Sequence, residues 1–225
     1  MMDRAGLARG GVAMRYRNGG SVGRGAGRRG AFALALAVVV PLSLAAGCGG
    51  QRGSPSPYLA DGGAERDVRR ADELASRGAD LLDKDPKEAE RILREALAAD
   101  LYHGPAHNNL GYLMLRQGKL YDAANEFEWA RKLMPGHPDP RFNLALTLER
   151  AGRADEAIAM YGTALEAYPG HLPTVEAIAR LQVRSGRPDA RTEGFLRDIA
   201  LRGETEEWRE WARRTAAFRR EDRDG

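Results

Sequence analysis

The chain repeats itself every 34 residues. Leu110, Leu144 and Ile178 stand at that spacing, as do Gly111, Ala145 and Ala179; so do Gly118, Gly152 and Gly186, and Phe127, Tyr161 and Phe195. Ala123 matches Ala157, Ala130 matches Ala164, and Pro135 matches Pro169. A period of this length marks a stacked array, in which one unit cannot cover its own apolar face and must lie against its neighbours. Inside the unit, Leu110, Met114 and Leu115 fall at helical spacing and define the buried stripe of a first helix. Gly111, or Ala145, is small because a second helix crosses there. Gly118 and Gly152 end the first helix where a residue tolerant of positive φ is wanted. Ala123, Phe127 and Ala130 share one face of the second helix, an aromatic between two small residues, and Pro135 and Pro169 stop it. The period predicts an all-α chain of helix–turn–helix units.

This set of small and large positions resembles the tetratricopeptide repeat. The match is strong at residues 104–137 and 138–171 and partial at 70–103 and 172–203, within an array spanning 65–203. In the first unit Leu74 and Ala75 come two residues early, and Asp83-Lys84-Asp85-Pro86 lengthens the turn, while Ala89, Leu93 and Ala96 fit a second helix. The fourth unit keeps Ile178, Ala179, Gly186 and Phe195. Arg191 and Asp198 replace its small residues, so its second helix must pack differently. Residues 204–225 resemble a capping helix with a polar tail, its stripe formed by Trp208, Trp211, Ala212 and Thr215. The implied fold is a helical-hairpin solenoid with a C-terminal capping helix.

Upstream of the array the composition is of another kind. Residues 1–30 carry seven Arg and one Asp, and residues 31–47 carry no charge. From Cys48 onward there are 28 basic and 31 acidic residues, so the overall +3 belongs to the leader and does not point to nucleic acid. Residues 1–47 read as an export signal, begun at Met1 or Met14. The apolar run Ala31 to Ala46 would cover about 24 Å as a helix, short of a ~30 Å hydrocarbon core. Leu44-Ala45-Ala46-Gly47-Cys48 resembles the lipobox of bacterial lipoproteins, which implies a diacylglyceryl thioether on Cys48, the only cysteine. Gly49 in place of Asp resembles outer-membrane sorting. Residues 48–64 then form a Gly-, Ser- and Pro-rich tether. The dinucleotide-like Gly25-x-Gly27-x-x-Gly30 follows no strand and carries no such reading.

The resemblance also implies a concave, peptide-binding face made by the first helices. Asn109 and Asn143, directly before the Leu-Gly and Leu-Ala pairs, would contact a ligand backbone, because an amide donates and accepts at once. Asn108, Tyr112, Arg116, Phe142, Leu146, Glu149, Arg150, Arg180 and Arg184 belong to the same face. Arg116, Arg150 and Arg184 recur at 34 and would form a basic line suited to carboxylates. The same residues are also compatible with an ordinary solvated repeat surface. His103, His137 and His171 recur at 34 too, yet helix pairs hold them too far apart to share a zinc ion that needs nitrogens at about 2.0–2.1 Å. They read as a polar loop position, and the Gly104-Pro105 step separates His103 from His107.

With no nucleophile–base pair and no phosphate loop after Cys48, an enzyme is not expected, nor a cofactor beyond the lipid on Cys48. The expected function is a lipid-anchored scaffold or assembly factor at a bacterial cell envelope, facing away from the cytoplasm and holding a protein or peptide partner. Open beside it stand a pilus or secretion-assembly lipoprotein, an envelope enzyme with an unrecognised site, and a cytosolic co-chaperone should the leader be retained.

Overall fold

The computed structural model describes residues 66–224, so the export signal, Cys48 and the tether lie outside the described residues. Among those described, nine α-helices follow one another without a strand. They are α1 (Val68–Leu81), α2 (Pro86–Ala99), α3 (Gly104–Arg116), α4 (Leu120–Leu133), α5 (Pro138–Arg150), α6 (Ala154–Ala167), α7 (Leu172–Arg184), α8 (Thr192–Arg202) and α9 (Glu206–Asp224). The first eight pair as hairpins α1–α2, α3–α4, α5–α6 and α7–α8, and α9 packs against α8. No described helix is long and apolar enough to cross a membrane.

The turns obey the sequence. Gly118, Gly152 and Gly186 have φ of 76°, 76° and 65°, the left-handed conformation expected after a helix C-terminus. At the first of these the Gly118 amide donates to the Leu115 carbonyl and Lys119 to Met114, which satisfies two carbonyls that the helix end leaves over. The same pair of bonds recurs at Gly152 and Gly186. Each of α2, α3, α5 and α7 carries proline in its first turn, where the missing N–H costs nothing.

One core runs through the hairpins. Leu93, Phe127 and Tyr161 occupy equivalent places on α2, α4 and α6 and are completely buried, each between two buried alanines. At the crossing in the second repeat, a Cβ on Gly111 would lie 2.9 Å from ring carbons of Phe127. In the first repeat the residue at the crossing is Gly78, whose Cβ would lie 2.8 Å from Leu93 Cγ. The expected early register, with Ala75 at that point, is therefore corrected: Ala75 is buried, but Gly78 meets the second helix.

The fourth repeat departs in a defined way. Its second helix begins at Thr192, six residues past Gly186, whereas α4 and α6 begin two residues past their glycines. That delay moves the buried stripe one residue on, to Thr192, Leu196 and Ile199, all fully buried. Leu196, not Phe195, is thus the counterpart of Phe127 and Tyr161, and the charges of Arg191 and Asp198 stay out of the core. The Thr192 hydroxyl donates to Gln182 Oε1 at 2.9 Å, and Asp189 Oδ1 accepts from the Thr192 amide, so the longer turn is held by side chains. On α9, Ala212 is buried, Thr215 is half-buried, and Trp208 meets Trp211 edge to face at 5.3 Å. Glu176 of α7 accepts the Glu204 amide at 3.1 Å and ties the α8–α9 turn back onto α7; burial pushes its carboxyl up.

Candidate functional site

The residues expected on an open ligand face prove to be used by the stack itself. Asn108, Asn109, Phe142 and Asn143 are all buried, Asn109 with only 2% of its surface exposed. Asn143 Nδ2 donates to Asn108 Oδ1 at 3.0 Å, joining α5 to α3. Phe142 lies 5.7 Å from the Tyr161 ring and 5.8 Å from that of His171. Asn109 and Asn143, expected as ligand contacts, are thus both buried here, and the Asn143 amide is paired with Asn108. Leu146 is buried as well.

The basic line has a structural cause. Arg116 Nη1 donates to the Leu82 carbonyl at 3.0 Å and pairs with Asp83 at 2.8 Å. Arg150 Nη1 donates to the Leu115 carbonyl at 3.2 Å. Each arginine thus reaches the C-terminal end of the preceding first helix, where unsatisfied carbonyls and the negative end of the dipole favour a cation. Arg180 and Arg184 converge on Glu149 at 3.1 and 2.8 Å, and Tyr161 donates its hydroxyl to the same carboxylate at 3.0 Å. Burial, and then the Glu149 charge, push the Tyr161 hydroxyl well above its usual value. What stays open on this face is the rim. Arg116, Arg150 and Arg184 keep exposed guanidinium surface, and Arg116 lies 5.7 Å over the half-buried Tyr112 ring. Burial also raises the Tyr112 hydroxyl.

The recurring histidines sit at the N-caps of α3, α5 and α7. His103 Nδ1 accepts the Ala106 amide at 3.0 Å while Nε2 lies 2.9 Å from Asp72 Oδ1 of α1. Accepting through Nδ1 leaves the ring proton on Nε2, directed at the carboxylate. His137 and His171 approach the same group: Nδ1 of His137 is 3.4 Å from Asp139 Oδ2, and Nε2 of His171 is 3.5 Å from Oδ1. Asp139, in the first turn of α5, therefore lies between two equivalent histidines of neighbouring repeats. Among the described residues, no three His, Cys, Asp or Glu side chains are arranged to hold a metal ion.

Sequence reasoning missed His107. Helix α3 starts at Gly104, so Pro105 lies in its first turn and His107 is carried inside it. His107 is completely buried, 2.7 Å from Glu126 Oε2 and 2.8 Å from the Leu101 carbonyl, with Trp129 stacked on it at 5.6 Å. Glu126 immediately precedes the core residue Phe127, a charged residue beside the buried stripe that could have signalled a partner. A separate cleft of about 430 Å³ opens between α4, α5 and α6, lined by Arg131, Pro135, Arg141, Met160, Thr163, Glu166 and Ala167.

Residues 108–171 match the tetratricopeptide repeat family model. Tetratricopeptide repeat protein 8 of Mus musculus is 29% identical over 94 residues, which cover 42% of this chain and 18% of the mouse protein; the Homo sapiens protein aligns at the same identity. The chain therefore spans under a fifth of the curated relatives it matches. Among solved structures, the first such domain of Spaghetti bound to an HSP90 peptide superposes with a TM-score of 0.52 at 18% identity, over 55% of this chain and 99% of that one. MamA superposes at 0.51 and 18% identity, over 67% of this chain and 82% of MamA. A Thermobaculum terrenum O-GlcNAc transferase reaches 0.55 at 23% identity, over 67% of this chain and 27% of the enzyme. At these identities the superpositions speak for the fold. Together with the 34-residue period and its hairpins, the family match over residues 108–171 shows that this chain carries tetratricopeptide repeats.

Proposed function

We propose that the chain is a lipid-anchored scaffold of a bacterial cell envelope that holds a peptide or protein partner on its repeats. The observation that carries the binding reading is the hairpin stack itself, a fold shared with a domain solved with an HSP90 peptide bound. Two first helices, α3 and α5, present Tyr112, Arg116 and Arg150 along one rim, and α7 adds Arg184, so the partner segment is an extended one bearing carboxylates. Anchoring rests on the sequence, on Cys48 behind an uncharged run and ahead of a flexible tether. Acyl chains there would hold the array at a membrane surface, since one chain alone binds only marginally. The work is binding rather than catalysis, and the lipid is the one covalent group it needs.

A single experiment separates anchoring from binding. Full-length protein is expressed in a bacterium with labelled palmitate, crosslinked in intact envelopes and recovered by pull-down. Cys48→Ser abolishes the label and moves the protein to the soluble fraction. Arg116→Ala/Arg150→Ala keeps the label and weakens capture of the partner, with a flatter salt dependence because exposed charge attraction is screened. Label surviving in Cys48→Ser overturns the anchor, and undiminished capture by the double variant moves the binding surface off this rim.

A further inference from the structure

Asp139 stands where two repeats meet. It lies in the first turn of α5, is buried, and has the N-cap imidazoles of α5 and α7 on either side, His137 at 3.4 Å and His171 at 3.5 Å. Both separations exceed the 2.5–3.2 Å of a formed hydrogen bond. Among the described residues its ion-pair partners are these two rings, with no lysine or arginine beside it. The nearby charges are engaged elsewhere. Arg141 of α5 donates to the His137 carbonyl at 3.2 Å, and Arg131 of α4 pairs with Glu128 at 2.6 Å. Glu166 of α6 faces the cleft lined by those arginines, and at the N-terminus of α3 His107 is held by Glu126. A buried carboxylate without a strong cation is expensive, and the cheapest relief is a proton.

His171 is arranged to accept a hydrogen bond from the protonated carboxyl. Thr174 Oγ1 lies 2.6 Å from His171 Nδ1, and Phe142 and Tyr168 present ring edges to the imidazole at 5.8 and 6.3 Å. In the tautomer that donates Nδ1–H to the Thr174 hydroxyl, the lone pair of Nε2 points towards Asp139.

We propose that Asp139 is a proton-operated latch between the third and fourth repeats. A proton taken from solvent onto Asp139 Oδ1 becomes an O–H···N hydrogen bond to His171 Nε2, and the N-terminus of α7 is drawn onto α5. Loss of that proton leaves two lone pairs facing each other, and the junction opens. Burial pushes the Asp139 carboxyl up, while burial and then the neighbouring His137 push the His171 ring down, so the carboxyl takes the proton and the imidazole stays an acceptor. The sign follows. A carboxyl raised in the folded state holds its proton above the ~3.9 of an unfolded aspartate, so its contribution is complete below that value. It is lost as pH rises through the folded one.

Hydrogen exchange of the full-length protein, read by mass spectrometry between pH 4.5 and 7.5, tests this at the first turns of α7. Protection factors, corrected for the intrinsic pH dependence of exchange, rise severalfold from the neutral to the acidic end in the wild type, as a carboxyl raised in the folded state requires. Asp139→Asn keeps the shape, cannot ionise, and donates to Nε2 through its amide. Its protection is independent of pH and matches the acid form. Should that variant not fold, the wild type alone suffices. The Asp139 carboxyl carbon, followed by NMR, titrates at the same pH as the Thr174 and Val175 amides. Wild-type pH dependence persisting in Asp139→Asn, or a carboxyl titration that leaves α7 unmoved, overturns the latch.

Discussion

At Gly111 the two helices of the second repeat approach so closely that any side chain would enter the Phe127 ring, whereas its neighbour Leu110 fills the same core from the opposite sense. The two positions therefore fail differently. Leu110→Ala leaves a cavity and costs about 2–5 kcal/mol. Gly111→Ala adds volume where none is free and costs about 1–3 kcal/mol through displaced packing. Lys119, exposed at the N-cap of α4 and making no side-chain cap bond, loses under ~0.5 kcal/mol on change to alanine. Denaturant melts of the three variants check the order; a Lys119→Ala loss equal to that of Leu110→Ala would mean the register is wrong. Asn109 and Asn143 belong with this group. Read from their position before the Leu-Gly and Leu-Ala pairs they are ligand contacts, but their burial makes any substitution there a change to the stack as well.

Between elements, one carboxylate does the joining. Glu149 at the end of α5 accepts from Tyr161 of α6 and from Arg180 and Arg184 of α7, with 5% of its side chain exposed. Glu149→Ala strands the buried Tyr161 hydroxyl and is expected to cost about 1–3 kcal/mol. The Arg184 arm is half in solvent and adds little by itself. A double-mutant cycle with Tyr161→Phe measures the coupling: the two losses are less than additive, since either change removes the same bond. Strict additivity would show that the hydrogen bond contributes nothing to joining these helices. None of this was readable beforehand. Glu149 stood among nine face residues, and nothing in the 34-residue spacing says that an acidic side chain in one unit meets arginines 31 and 35 residues on.

For the whole molecule the consequence of stacking is that damage stays local. Each hairpin touches its neighbours and little else, so stability is a sum of units and junctions. Ending the chain at Gly203 removes α9 and uncovers the side of α8 that Trp208, Trp211 and Ala212 cover. Hydrogen exchange of that truncated chain should show protection lost across α7 and α8 and retained in α1 to α4. Uniform loss over all the repeats would indicate one cooperative body instead. The N-terminal end is closed by another device, Arg66 forking onto Asp100 at 2.8 and 3.0 Å; that hydrogen bond holds the buried carboxyl below the usual carboxylate range.

What the sequence determined alone was the local grammar. Gly118 and Gly152 had to take positive φ, and Leu110 and Phe127 had to be buried, because each depends on covalent geometry or on a periodicity within one hairpin. Tertiary structure decided everything that depends on where one unit lies against the next. It set the one-residue shift that chose Leu196 over Phe195, because the extra turn residues rotate α8 by its own angle per residue. It also turned Asn143 towards Asn108, tied one arm of the basic line to helix ends and to Glu149, and brought His137 and His171 to a single carboxylate. Spacing along the chain fixes which residues are equivalent, but side-chain length and helix crossing decide which of them touch.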